Sequence, residues 1–110
     1  MADPFNFTGL IAGGWRDMAF EPFREGLEIC RLVKGAPEVA LLRYQPGASV
    51  PRHRHRDLET VLVLEGAQSD EYGTYEAGTL AVNPAGSVHS VTSKTGCVVL
   101  IQWTKPIELL

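Results

Sequence analysis

Residues 47–66 read GASVPRHRHRDLETVLVLEG, and this stretch decides the fold. His53 and His55 stand two positions apart, so both side chains point to the same face of an extended strand. Glu59 follows four positions later, an even offset that can return its carboxylate to that face after a short bend. Two imidazoles and a carboxylate that converge on one face of a sheet form half of a site for a divalent metal ion.

A second stretch, residues 78–89, reads GTLAVNPAGSVH and contains the remaining histidine, His89. The chain has 3 histidines, and all of them therefore lie within these two stretches. We predict that His53, His55, Glu59 and His89 together bind one metal ion. Three neutral imidazoles and one carboxylate suit zinc, iron, manganese or nickel, and the donor types alone do not choose among these ions.

The spacings G-x5-H-x-H-x3-E-x6-G and G-x5-P-x-G-x2-H resemble the two signature motifs of the cupin superfamily. The second motif often has Asn four residues after its histidine, whereas this chain has Ser93. The resemblance implies an all-β cupin fold, a double-stranded β-helix or jelly-roll barrel. We expect one cupin domain over residues 15–110, preceded by an N-terminal segment, residues 1–14.

Short apolar runs separated by Gly and Pro turns independently favour an all-β barrel or sandwich. We predict strands over residues 27–33, 39–44, 59–64 and 97–103, and a further strand that begins at Trp15. The N-terminal segment carries Phe5, Phe7, Leu10 and Ile11 and is too apolar for a free tail, so we expect it to pack on the barrel or on a dimer partner. Together with the apolar outward face of the strand over residues 59–64, this segment predicts a homodimer.

Composition describes an ordinary globular domain of 110 residues, with 45% hydrophobic residues and a net charge of −3. The acidic balance gives no reason to expect nucleic acid as a partner. The N-terminus lacks the features of a signal peptide and no apolar run is long enough to span a membrane, so we expect a cytoplasmic protein. Cys30 and Cys97 are then expected to be free thiols.

Neither a Ser-His-Asp arrangement nor a Gly-rich phosphate loop is present, so any catalysis would depend on the metal and on Glu59. Candidates for lining the cavity around the metal are Arg43, Tyr44, Cys97, Gln102 and Trp103. The arginines between the histidines, Arg52, Arg54 and Arg56, are expected to face outward on the alternate positions of the strand. Asp70 and Glu71 are interpreted as the solvated tip of a hairpin.

From Trp15 to Trp103 the sequence also resembles the C-terminal cupin domain of the ChrR-type anti-sigma factors, in phrases such as PFREGLEICRL and LETVLVLEG. In that family the residues that match His53, His55, Glu59 and His89 hold zinc. The resemblance implies a metal-binding module that responds to a small molecule or an oxidant. No zinc-binding helical segment that grips a sigma factor is expected here. The alternative is a small metal-dependent dioxygenase, because related stand-alone cupins cleave acylphenols.

Overall fold

Strands dominate residues 2–110, which a computed structural model describes. A single turn of 3₁₀ helix, Gly14–Asp17, precedes the strands. The ten strands found in this described part are β1 (Glu21–Arg24), β2 (Leu27–Val33), β3 (Glu38–Tyr44), β4 (Ala48–Arg54), β5 (Glu59–Asp70), β6 (Gly73–Glu76), β7 (Leu80–Asn83), β8 (Val88–Ser93), β9 (Cys97–Trp103) and β10 (Glu108–Leu109). The predicted all-β class is confirmed, and the strands predicted over 27–33 and 97–103 have the bounds of β2 and β9.

The strand predicted to begin at Trp15 is wrong. Trp15 lies in the 3₁₀ helix and is buried against the outer face of the sheet. Leu10 packs against the same outer cluster, which is formed by Trp15, Cys30, Leu41 and Val98. The large aromatic ring therefore covers the sheet from outside, instead of joining the ladder of strands.

The strands form a curled antiparallel sheet in the order β1-β2-β3-β9-β5-β8-β4-β10. Strand β5 joins its two halves, because its first part pairs with β7 and β9 and its last part pairs with β6 and β8. The change from one half to the other falls at Gly66 within β5, where φ is 75°. A Cβ atom at Gly66 would collide with the backbone carbonyl of Gly96, so only glycine fits at the end of the first motif.

Alternating side chains divide the apolar residues between two layers, as expected for strands covered on both faces. The inner layer includes Ile29, Leu42, Val63 and Val99 and lies between the two halves of the curled sheet. The outer layer is the Trp15 cluster, against which Leu64 is packed. The predicted outward face of β5 is thus partly covered by the chain's own N-terminal helix. The inner layer leaves one end of the curl for the histidines.

Candidate metal centre

Strands β4 and β8 bring the histidines together. They pair antiparallel, and the register places His53 directly opposite His89. His55 lies one residue beyond the end of β4, where its backbone exchanges hydrogen bonds with Ser87 and Gly86. The exposed fractions of His53, His55 and His89 are 3%, 2% and 7%, so all three rings are withdrawn from water.

The three imidazoles converge on one point. One ring nitrogen from each histidine lies within 4.8 Å of the corresponding nitrogens of the other two. The Nε2 atoms of His55 and His89 are 3.0 Å apart. Two neutral imidazoles at this separation can share only one proton, whereas a cation between them satisfies both lone pairs. The three histidines can therefore hold a metal ion.

In two of these rings, the Nδ1 atom is within hydrogen-bonding distance of an oxygen atom. The Nδ1 atom of His53 lies 2.7 Å from the carbonyl oxygen of Pro51. The Nδ1 atom of His89 lies 2.9 Å from a carboxylate oxygen of Asp70. Each acceptor favours a proton on Nδ1, which leaves the lone pair on Nε2 free for a metal. This arrangement is the usual outer support of metal-binding histidines.

Asp70 contacts the candidate site through His89, which its position in the sequence did not predict. Its side chain is 8% exposed, and it also accepts hydrogen bonds from the Tyr75 hydroxyl at 2.9 Å and the Tyr72 amide at 2.8 Å. Burial alone would raise the pKa of Asp70, but the hydrogen bonds from His89, Tyr72 and Tyr75 bring it below its ordinary value. Asp70 is thus an ionised partner of His89, and the interpretation of a solvated hairpin tip is wrong for this residue.

Its neighbour Glu71 does lie on the exposed side of the hairpin. Its carboxylate accepts hydrogen bonds from the backbone amide and the hydroxyl of Ser90, both at 2.9 Å. The two acidic residues therefore fasten the β5–β6 hairpin to β8, Asp70 at His89 and Glu71 at Ser90. Only the tertiary structure could reveal the contact between Asp70 and His89, because these two residues are far apart in sequence.

Glu59 is buried beside the histidines but stands slightly apart. Its Oε2 atom is 3.6 Å from Nδ1 of His55, while its Oε1 atom accepts a hydrogen bond from the Asn83 amide at 3.1 Å. Burial raises the pKa of Glu59 to about 7. The carboxylate is outside the close cluster of three histidine nitrogens. Its role as a fourth ligand therefore stays a prediction.

Burial also affects the pKa of two of the histidines, His53 and His55. It lowers the pKa of His53, and burial together with the nearby charges of His53 and His89 lowers the pKa of His55 to about 4. A histidine with a lowered pKa is neutral at pH 7, which is the form that coordinates metal. His53 and His55 can therefore offer a ring-nitrogen lone pair to a metal ion without first losing a proton.

A cavity of about 360 Å³ opens onto the histidines. Of the five residues predicted to line it, Tyr44 and Trp103 do so. Arg43 lies outside, where its guanidinium pairs with Glu28 at 3.1 Å, and Gln102 is exposed. Cys97 belongs to the inner apolar layer but does not border the cavity.

The arginines of β4 and the following turn face outward, as their alternation predicts. Arg52, Arg54 and Arg56 are exposed, and Arg54 pairs with Glu108 of β10 at 3.1 Å. Strand β10 also covers the edge of β4, with Leu109 opposite His53. Arg54 therefore helps to hold the C-terminal strand against β4, and the three exposed arginines point away from the metal site. No helix in residues 2–110 has the length and apolar character needed to cross a membrane.

A curled antiparallel sheet with three buried histidines, on β4, on β8 and just beyond β4, is typical of a cupin. Residues 10–106 match the family of the ChrR cupin-like domain, and the chain belongs to that family. It is 31% identical over 95 residues to the anti-sigma-E factor ChrR of Cereibacter sphaeroides. The match covers 84% of this chain and 45% of that relative, so the chain corresponds to about half of it.

Solved structures agree with this assignment. The crystal structure of Rhodobacter sphaeroides SigE in complex with the anti-sigma ChrR superposes with a TM-score of 0.72 and 28% identity, covering 80% of this chain and 49% of that one. An acetylacetone dioxygenase from Acinetobacter johnsonii superposes with a TM-score of 0.76 at 16% identity, covering 83% of this chain and 71% of that one. At that identity the second similarity shows the shared fold alone.

Proposed function

We propose that this protein is a metal-binding cupin module that responds to a small molecule or an oxidant. The observation that carries the proposal is the convergence of three buried histidines whose ring nitrogens lie within 4.8 Å of one another. Burying three imidazoles together is costly unless their lone pairs are used. A bound cation accounts for their number, their burial and their orientation.

Each residue has a distinct part in this proposal. His53, His55 and His89 donate Nε2 lone pairs, and Glu59 moves from the side of His55 to supply the fourth donor. Asp70 orients His89 and partly offsets the charge of the ion. Zinc, iron, manganese and nickel all accept this donor set. When bound, such an ion supplies Lewis-acid chemistry, and iron also supplies redox chemistry.

Thermal unfolding with and without metal tests the site. At a metal concentration about a hundredfold above Kd, binding stabilises the folded state by about 2.7 kcal/mol. For a domain of this size that corresponds to a rise in Tm of about 10 °C or more. A chelator should remove the rise, and neither His53→Ala nor His89→Ala should show it.

An arginine variant outside the site provides the control. Arg52→Gln changes an exposed side chain next to His53 without touching the histidine cluster, so it should keep the full rise in Tm. A rise in Tm that persists in both histidine variants would show that the metal binds elsewhere. Metal content measured after purification without added metal would then identify the native ion.

The response to oxidants depends on which groups the site exposes to them. Burial raises the pKa of Cys97, so this thiol is protonated at neutral pH and reacts slowly with peroxide. In this proposal the oxidant therefore acts on the metal-bound histidines or on a redox-active ion. Release of metal on treatment with peroxide, measured with a chromophoric chelator, should be unchanged in Cys97→Ala.

The alternative function is a small dioxygenase that acts on phenolic or acylphenol-type substrates. The cavity of about 360 Å³ beside the histidines supports it, because a purely structural metal site needs no such space. In that case the iron form, but not the zinc form, should consume dioxygen when offered small phenolic ketones. Glu59→Gln should then abolish the uptake.

We also propose a homodimer in the cytoplasm. Apolar side chains remain exposed in the N-terminal segment, with Phe5 at 65% and Ile11 at 59%, and on β7, with Leu80 at 59% and Val82 at 54%. Surfaces of this kind are commonly covered in a complex. The two buried free thiols, Cys30 and Cys97, suit a reducing compartment.

A further inference from the structure

The cavity beside the histidines has two chemically different parts. Part of its lining is polar and consists of residues that include His53, His89, Glu59 and Gln68. Its wall is apolar and includes Leu27, Leu42, Val61, Ile101 and Trp103. A volume of about 360 Å³ is at the small end of the range for ligand sites. This space fits one ring or a short branched chain and leaves no room for a large substrate.

Two arginines border this cavity, and their environments differ. The guanidinium of Arg31 is neutralised by Glu21 at 3.2 Å and by Glu38 at 3.5 Å. Within residues 2–110, no carboxylate lies within ion-pairing distance of Arg24, the last residue of β1. Arg24 is half-buried and therefore keeps a cation at the cavity that the protein itself does not neutralise.

Arg24 stands beside an aromatic ring at the border of the cavity. The guanidinium carbon lies 5.2 Å from the ring centre of Phe23, which also borders the cavity. Arg24 therefore borders the same cavity as His53 and Tyr44.

A bound divalent ion would increase this positive charge. The charges of Glu59 and Asp70, when both are ionised, offset those of the ion, and Arg31 is offset by Glu38, so the charge of Arg24 leaves the cavity net positive. Apolar walls focus such a field and favour an anion over a neutral ligand of the same shape. Arginine in particular matches the planar geometry of a carboxylate.

We propose that the cavity binds a small monocarboxylic acid whose carboxylate pairs with Arg24 and whose apolar body lies against Leu27, Leu42 and Trp103. The inference deepens the proposed function, since it names the class of small molecule to which the metal site responds, and it rests on that function for the charge of the ion. Arg24 determines specificity here, because it selects an acid over its neutral analogue.

Benzoate and benzyl alcohol are suitable probes, because they share a ring and differ in charge. Calorimetric titration of the zinc-loaded protein should give a Kd for benzoate at least tenfold lower than that for benzyl alcohol. Arg24→Gln should weaken benzoate binding about tenfold to a hundredfold, the usual loss for a hydrogen-bonded charge. The same variant should leave benzyl alcohol binding unchanged and should not weaken zinc binding, whereas Arg24→Lys should keep part of the benzoate affinity.

Arg52→Gln is the matched control, because it removes the same charge from an exposed arginine on β4 outside the cavity. The inference is overturned if this control weakens benzoate binding as much as Arg24→Gln does. Equal affinity for the two probes, or no binding of benzoate at about 10 mM, would also overturn it. Zinc binding without benzoate binding rejects this inference alone. Benzoate binding that depends on Arg24 in a protein that binds no zinc supports the inference and rejects the proposed function.

Discussion

Replacing Asp70 with asparagine should weaken metal binding without disrupting the fold. Asparagine has nearly the same shape, and its carbonyl oxygen can still accept the hydrogen bonds from Tyr75 and the Tyr72 amide. The amide nitrogen would then replace the oxygen that faces Nδ1 of His89 at 2.9 Å. Two N–H donors cannot point at each other, so the proton of His89 is expected to move to Nε2. There it occupies the lone pair that the metal needs.

The size of the effect follows from this change of tautomer and from the lost charge. Loss of an outer partner of a metal-binding histidine typically lowers metal affinity tenfold to a hundredfold, or by about 1.4–2.7 kcal/mol. We expect Asp70→Asn near the upper end of that range. The carboxylate is only 8% exposed, so water does little to screen its charge from the ion. Tyr75→Phe removes one of its supporting hydrogen bonds and should have a smaller effect.

Competition for zinc against a chromophoric chelator at pH 7 measures this difference. Glu71→Gln is the matched control, since it removes the same charge from the adjacent residue, whose carboxylate binds Ser90 and not a histidine. The NMR signals of the His89 ring nitrogens would report the tautomer directly. Equal losses of affinity in the two variants, or an Nδ1-protonated His89 in Asp70→Asn, would refute the reasoning.

Three further results are expected. Burial raises the pKa of Glu59 to about 7 and lowers that of His55 to about 4. Between pH 4.5 and 6.5, the contribution of Glu59 to the free energy of unfolding therefore falls as the pH rises, whereas the contribution of His55 increases. In metal-free protein, Glu59→Gln should remove the contribution of the glutamate and keep that of His55. The free energy of unfolding measured in urea should then be higher for the variant than for the unsubstituted protein at pH 7, and equal for the two near pH 4.5. Gly66→Ala, which combines a positive φ with a backbone collision, should cost about 3 kcal/mol, against about 1 kcal/mol for Gly78→Ala, where the added methyl meets open space. Light scattering at micromolar concentration should show a dimer that is weakened by deleting residues 2–14, and a stable monomer would contradict the proposed assembly.

Local alternation was enough to predict much of the histidine site. The two-residue spacing of His53, on β4, and His55, just beyond it, turns both rings to the same side, and Arg52, Arg54 and Arg56 at the alternate positions are exposed. The same alternation also shows which of the predicted cavity residues face inward and which face outward. On β9, Ile101 and Trp103 face inward, so Gln102 between them faces outward. Glycine at position 66 likewise has a local signal, although its cause is the distant backbone of Gly96.

Contacts between distant segments had no such signal. Trp15 looked like the start of a strand because a strand and a short helix can bury the same aromatic ring, and only the exposed outer face of the sheet decides between them. Whether Arg24 forms an ion pair depends on which carboxylates lie near β1 after folding, and the order of residues does not reveal this.

The sequence by itself determined the all-β class, the family and the three histidines, because these depend on residue types at fixed short spacings. The tertiary structure decided what surrounds them. It placed Asp70 behind His89, set Glu59 beside His55 and left Arg24 at the cavity. The physical reason is that hydrogen bonds and burial act over a few ångströms in space. The curl of the sheet brings together side chains that the sequence keeps tens of residues apart.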